Sequence, residues 1–78
     1  MTIMAKTHRY GVCVENRGNP AALEVRKIYR FVEDRAAATR GLVRVIDESG
    51  DDYLYPDRFF VPIEVPSAVA RAFSKKSA

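Results

Sequence analysis

Short runs of β-forming residues, each closed by turn residues, constrain the fold of this chain more than any other feature. Apolar and other residues alternate over residues 9–15, and a period of two is the spacing of a half-buried strand. Residues 16–20 combine asparagine, glycine and proline, which favour a turn. A second β-rich run covers residues 23–32. Its alternation slips near Arg26 and Lys27, where we expect a bulge that bends the strand.

A hairpin is predicted in the middle of the chain. Residues 42–46 form a third β-rich run and residues 53–55 a fourth, and an acidic turn containing Gly50 joins them. The Asp and Ser side chains of this turn are expected to hydrogen-bond its backbone amides. Pro56 ends the fourth strand, because proline has no N–H group to donate to a sheet.

Two short helices are predicted outside the strands. Asp34 is a candidate N-cap for a single helical turn that Gly41 ends, and Ser67 is a candidate N-cap for a C-terminal helix. In that second helix Val69 and Phe73 lie four residues apart on one face. We expect these two side chains to cover one end of the fold.

These elements predict an all-β protein, a small five-stranded SH3-like barrel with a short C-terminal helical turn. Residues 57–59 suit one 3₁₀ turn, and residues 60–65 form the fifth strand, which Pro62 restricts to a sheet edge. Closing five strands into a barrel removes most free edges. A chain of 78 residues is one domain. We expect a flexible N-terminus over 1–6, the barrel domain over 7–73 and a polar tail over 74–78.

The net charge of +3 is unevenly distributed along the chain. Basic residues outnumber acids between Arg17 and Arg44, whereas the stretch from Asp47 to Asp57 holds acids and no base. This pattern predicts a dipolar surface, which favours solubility and attraction between the two regions. Arg44 faces Asp47 and Asp52 across the predicted hairpin, and this position indicates a cross-strand ion pair.

The cysteine content and hydropathy indicate a cytoplasmic protein. Cys13 is the single cysteine, so no disulfide forms within the chain, and small secreted domains usually depend on disulfides. No stretch approaches the roughly 18 apolar residues of a membrane span. We expect neither a membrane partner nor a small-molecule cofactor.

One segment resembles a known fold family. The run from Tyr53 through Pro56 to Phe60 resembles the strand, 3₁₀ turn and last strand of SH3-like barrels. In signalling SH3 domains this region contributes a proline and an aromatic residue to the peptide groove, and the resemblance places Pro56 and Phe59 at those positions. The chain has no counterpart of the aromatic-rich first-strand motif that completes this groove.

A longer stretch, residues 23–65, is similar to a group of short bacterial proteins with an SH3-like barrel. The shared motif is an Arg-Val-Ile-Asp-Glu-Ser-Gly run that leads into acidic residues and Tyr-Leu-Tyr-Pro. This similarity implies the fold and a bacterial cytosolic setting, and it carries no activity with it.

Catalytic and metal-binding residues are not predicted. One histidine, His8, and one cysteine supply neither a nucleophile with its base nor a zinc site. Cys13 lies in mid-strand, where a free cysteine usually packs as a small apolar residue. The acidic hairpin fails the calcium-loop pattern, because the twelfth residue counted from Asp47 is Arg58 and not a glutamate. We therefore expect no enzyme activity.

Two binding functions stay open. The first is a protein–protein interaction module, as a monomer or a homodimer, and its candidate surface consists of Tyr53, Tyr55, Pro56 and Phe59. The second is an RNA- or DNA-binding barrel that uses a basic strand face, with Arg26, Arg30, Arg40 and Arg44 as candidate residues.

Overall fold

The computed structural model describes residues 9–74, which form five strands, two α-helices and one 3₁₀ turn. The predicted flexible residues 1–6 and His8 lie outside the described residues, as does the predicted tail beyond residue 74. In chain order the elements are β1 (Tyr10–Cys13), β2 (Ile28–Val32), α1 (Arg35–Ala38), β3 (Leu42–Ile46), β4 (Asp52–Pro56), η1 (Asp57–Phe59), β5 (Phe60–Ile63) and α2 (Ser67–Ser74).

The strands form one antiparallel sheet in the order β4-β3-β2-β1-β5. The second, third and fourth strands follow one another as a meander, and β1 lies between β2 and β5. The all-β prediction is therefore confirmed. The sheet is open, with β4 and β5 at its two edges, so closure into an SH3-like barrel stays a prediction.

Proline protects both sheet edges. The backbone N–H of Asp47 donates to the Asp51 carbonyl, and that of Asp57 donates to the Gly41 carbonyl. In an antiparallel pair, residues that bond to the neighbouring strand alternate with residues that do not, so the backbone groups of Pro56 point away from β3. Pro62 in β5 likewise has no N–H to offer beyond the sheet, as its predicted edge position requires. Free edges with few donors resist pairing with another chain.

The core lies on one face of the sheet, which we call the inner face. Buried side chains from all five strands or their borders meet there: Cys13, Leu23, Tyr29, Val45, Tyr55, Phe59 and Phe60. Phe60 is the centre of this cluster, and its ring makes edge contacts with those of Tyr29, Phe31 and Tyr55. Gly11 allows Phe31 to reach the core, because a Cβ at that position would collide with the Phe31 ring.

The second strand is shorter than predicted. It begins at Ile28 rather than near residue 23, because residues 24–27 form a turn in which the Lys27 N–H donates to the Glu24 carbonyl at 3.3 Å. The predicted irregularity is present at its start. The backbone N–H of Arg26 donates to the Cys13 carbonyl, and the N–H of Cys13 donates to the Lys27 carbonyl. Arg26 and Lys27 thus both lie opposite Cys13, which is the arrangement of a β-bulge.

Both predicted helices are present. Asp34 caps α1 by accepting a hydrogen bond from the Ala37 N–H at 3.0 Å, and Gly41 follows the helix with a φ of 74°. Ser67 is the first residue of α2 and not its N-cap as predicted, because the Pro66 carbonyl accepts the first helical hydrogen bond, from the Ala70 N–H at 3.1 Å. The Phe73 ring of α2 lies 5.2 Å from that of Tyr10. Tyr10 belongs to the sheet face opposite Cys13, so α2 packs on that face rather than on the core side.

Replacing Arg26 with glycine is expected to raise the free energy of unfolding by about 1 kcal/mol. Arg26 has a φ of 75°, in the left-handed region that strains every residue with a Cβ. Urea denaturation measures this change as a higher midpoint at an unchanged slope. The control Arg26→Ala keeps the Cβ and should leave the midpoint where it is. An equal gain in both variants would contradict backbone strain as the cause.

Candidate functional site

A buried carboxylate organises the β3–β4 hairpin. Asp47 is 6% exposed, and it accepts hydrogen bonds from the Ser49 N–H at 2.9 Å, the Ser49 hydroxyl at 2.6 Å and the Tyr55 hydroxyl at 2.5 Å. Burial alone would raise the pKa of Asp47, but these three donors outweigh it and hold the pKa below its usual value. The predicted hydrogen bonding within the turn is thus confirmed.

The neighbouring Glu48 ties this hairpin to the long β1–β2 loop. Its N–H donates to the Ala22 carbonyl at 2.9 Å, and its carboxylate accepts from Lys27 at 2.7 Å and from the Tyr29 hydroxyl at 2.5 Å. The same hydroxyl accepts from the Glu24 N–H at 2.7 Å. The donors Lys27 and Tyr29 lower the pKa of Glu48. Through this network the hairpin fixes residues 22–29 against the sheet.

Three of the acidic residues of the hairpin are therefore structural. Asp47 and Glu48 are each engaged by donors, and Asp52 pairs with Arg44 at 3.2 Å. Across residues 9–74 no group of three or more His, Cys, Asp or Glu side chains has the arrangement to hold a metal ion. Cys13 is fully buried, as predicted for a packing residue, and burial raises the pKa of its thiol.

The four residues of the predicted protein-binding surface do not share one exposed site. Tyr55 and Phe59 are 6% and 3% exposed and belong to the core. Tyr53, on the edge strand β4, is 52% exposed, and Pro56 is half-buried. The candidate surface thus loses two of its four side chains, since a core this thin needs the aromatic rings.

The four arginines of the predicted nucleic-acid face are also separated. Arg44 is neutralised by Asp34 at 2.9 Å and by Asp52 at 3.2 Å, so a cross-strand ion pair exists but does not include Asp47. Arg26 precedes β2, whereas Arg40 lies in the turn before β3, and the register places these turns at opposite ends of the two strands. Arg30 alone lies on a strand without a carboxylate partner among residues 9–74.

The face opposite the core, here called the outer face, is unexpectedly apolar. The register aligns Ile28, Val12 and Val61 in one row across three strands, and the next row runs through Arg30. A sheet with one solvated face ordinarily alternates between apolar and polar residues. On the outer face the apolar members are Tyr10, Val12, Ile28, Val32, Leu42, Ile46, Leu54, Val61 and Ile63.

Several outer-face side chains are open to solvent. Val61 is 51% exposed, Leu54 40% and Val32 36%, while Tyr10 is covered by Phe73 of α2. Arg30 lies among them, directly between Ile46 and Tyr10 in its row. The sequence carried a signal for this face, because both phases of the β-rich runs are apolar. The alternation predicts strands at these positions but does not show whether the second face is covered.

No helix of the described residues is both long and apolar enough to cross a membrane. Comparison with known proteins found no matching family model, curated protein or solved structure.

The two buried tyrosines predict a specific loss of stability in alkali. Burial and the adjacent carboxylates raise the pKa of both Tyr29 and Tyr55 above the ordinary value of 10.0. Because the folded state holds this proton more tightly than the unfolded state, the proton stabilises the fold below pH 10. This stabilisation is lost as the pH rises further. Tyr55→Phe should therefore lower the free energy of unfolding by about 1.5–3 kcal/mol at pH 7, and the deficit should shrink above pH 10.

Urea midpoints of the wild type and Tyr55→Phe at pH 7, 9 and 11 measure that deficit. Tyr53→Phe is the matched control, because Tyr53 is exposed on the same strand and should leave stability unchanged at pH 7. A deficit for Tyr55→Phe that stays constant or grows from pH 9 to pH 11 would be inconsistent with the assigned hydrogen bond to Asp47.

Proposed function

We propose that this chain is a non-enzymatic protein–protein interaction module that uses the outer face of its sheet to bind another protein. We further propose that the fold is an SH3-like barrel in a bacterial cytosol. The strand order with β1 between β2 and β5 supports that fold, as does the 3₁₀ turn between β4 and β5. The single reduced cysteine supports the location.

The exposed apolar outer face is the observation that carries the proposal. Contiguous apolar patches on the surface of a small protein mark interaction sites, because water contact with them is unfavourable. Val61 and Leu54 lie on the two edge strands and Val32 on β2 between them, and each keeps more than a third of its surface in solvent. The half-buried side chains Val12, Ile28 and Ile46 lie between these three on the outer face. A partner that covers them would gain the burial that the isolated chain lacks.

One charge on the outer face, that of Arg30, supports a proposal for the chemistry of the partner. Arg30 lies within the apolar rows, and it makes no ion pair within residues 9–74. Arginine is enriched in interface centres, where its planar guanidinium binds a carboxylate through two hydrogen bonds. We therefore propose a partner protein with an apolar patch that carries at least one carboxylate.

Substituting Val61 with glutamate tests the proposal. The side chain is half-exposed, so the fold should be retained, while a negative charge on the outer face should repel an acidic, apolar partner. Proteins captured on the wild-type chain from extracts of its own cells are identified by mass spectrometry. Each is then purified, and its Kd for the chain is measured by calorimetry. We expect V61E to weaken binding at least about tenfold.

The control is Tyr53→Glu, which adds the same charge at an equally exposed position on the inner-face phase of β4. It should change the Kd less than about twofold, within the range of a rim residue. A loss with Y53E and none with V61E would overturn the outer-face proposal and favour a surface around Tyr53.

Two other outcomes would also overturn this function. One is a concentration-dependent dimer of the purified chain that V61E dissociates, which would make a second copy the partner. The other is binding of a labelled oligonucleotide that weakens steeply with salt, which would indicate a nucleic-acid protein.

A further inference from the structure

A strip of apolar side chains crosses every strand of the sheet on its outer face. This cross-strand strip consists of Val61 on β5, Val12 on β1, Ile28 on β2, Ile46 on β3 and Leu54 on β4. Its two ends, Val61 and Leu54, are exposed, and the three side chains between them are half-buried. A partner that covers the whole strip must therefore span the full width of the sheet.

The backbone of the sheet disfavours an extended segment as the occupant of this strip. The N–H and C=O groups of a sheet lie in its plane and bond to neighbouring strands, so they do not point out of the outer face. An extended segment laid on the strip finds no backbone partner there and buries part of its own polar backbone against apolar side chains. At the sheet edges, Pro56 and Pro62 lack the N–H group with which an added strand would pair.

An α-helix avoids this cost, because it bonds its own backbone N–H and C=O groups. One helix of the chain already packs on the outer face, where the Phe73 ring of α2 lies 5.2 Å from that of Tyr10 and Val69 of the same helix is half-buried. Neighbouring strands lie about 4.8 Å apart, so the strip is about 19 Å wide from β4 to β5. A helix that rises about 1.5 Å per residue spans this width with about 13 residues.

Arg30 indicates one charge that such a helix carries. Arg30 is half-buried on β2, two residues after Ile28 and directly opposite Ile46, so it borders the middle of the strip. It forms no ion pair or side-chain hydrogen bond within residues 9–74. A carboxylate in the middle of the helix would give this guanidinium a partner, and apolar surroundings strengthen such a charged hydrogen bond.

We propose that the outer face binds an amphipathic α-helix of the partner protein, which crosses the cross-strand strip and places a carboxylate beside Arg30. The apolar residues of this helix recur at intervals of three and four, so that they form one face. The inference rests on the proposed function and specifies the structural element with which the partner binds.

The probe is the peptide acetyl-Lys-Leu-Ala-Gln-Leu-Leu-Ala-Gln-Glu-Ala-Gln-Leu-Leu-Ala-Lys-Leu-amide, whose leucines and single carboxylate share one face of a helix. In a second peptide, prolines replace the second and third alanines, which keeps that set of side chains but breaks the helix. In a third peptide, glutamine replaces the glutamate. Each is titrated into the ¹⁵N-labelled full chain at concentrations where ultracentrifugation shows the peptide to be monomeric. The NMR readouts are the amide signals of Val12, Ile28 and Val61.

The helical peptide should shift these three amide signals saturably, and the proline peptide should bind at least about tenfold more weakly. The glutamine peptide should bind at least about threefold more weakly than the glutamate peptide, because it cannot form the charged hydrogen bond. On the variant Arg30→Gln the glutamate and glutamine peptides should bind alike, since the variant removes the other partner of that bond. The control Arg40→Gln makes the same change of charge in the turn before β3 and should keep the preference for glutamate.

Equal binding of the helical and proline peptides would overturn the helix. A preference for glutamate that persists in Arg30→Gln, or that is lost equally in Arg40→Gln, would overturn the contact with Arg30. Absence of every shift at peptide concentrations up to about 1 mM, the range of weak contacts, would reject the inference as a whole. In each of these cases the outer-face function still stands or falls with V61E and the captured partners, so the two failures are distinguishable.

Discussion

The contact between the β3–β4 hairpin and the β1–β2 loop is the constraint on which the rest of this structure depends. A chain of 78 residues has a thin core, and the loop from β1 to β2 is long for its size. Leu23 is the one loop residue that enters the core cluster fully buried. Glu48 supplies the second attachment, through the Ala22 carbonyl, the Lys27 ammonium and the Tyr29 hydroxyl. The polar network around Glu48 therefore fixes the β1–β2 loop, which the burial of Leu23 alone would hold at one point only.

This arrangement gives the two faces of the sheet different roles. On the inner face the aromatic rings of Tyr29 and Tyr55 pack against Phe60. Their hydroxyls donate to the hairpin carboxylates of Glu48 and Asp47, respectively. Among the described residues, Phe73 covers Tyr10 on the outer face and Asp34 contacts Arg44 there, whereas Val61, Leu54 and Val32 stay exposed. The exposed side chains of the outer face lie outside the core cluster, so the packing of the core does not depend on them.

Features set by neighbouring residues could be predicted from the sequence. Four predicted features depend on local chemistry and are present: the Asp34 cap, the 3₁₀ turn at 57–59, the Gly50 hairpin and the edge position of Pro62. The start of β2 could not be predicted, because nothing in the sequence indicates that an arginine adopts a positive φ at residue 26. The exposure of the candidate site residues could not be predicted either, because it depends on contacts between residues that are distant in the sequence. Tyr53 and Tyr55 share one phase of β4, so the sequence pattern does not distinguish them. Tyr55 is buried because its ring meets that of Phe60 and its hydroxyl reaches Asp47, both of which are contacts set by the tertiary fold.

The proposed function requires that Val61 and Val32 on the outer face are open to solvent in the free, monomeric protein. Relaxation of valine methyl signals by a soluble nitroxide radical tests it most directly, since the effect falls off steeply with distance from solvent. We expect strong relaxation of the Val61 and Val32 methyls and little of Val45, which is fully buried in the core. Protection of Val61 and Val32 equal to that of Val45, at a concentration where the chain is monomeric, would contradict it.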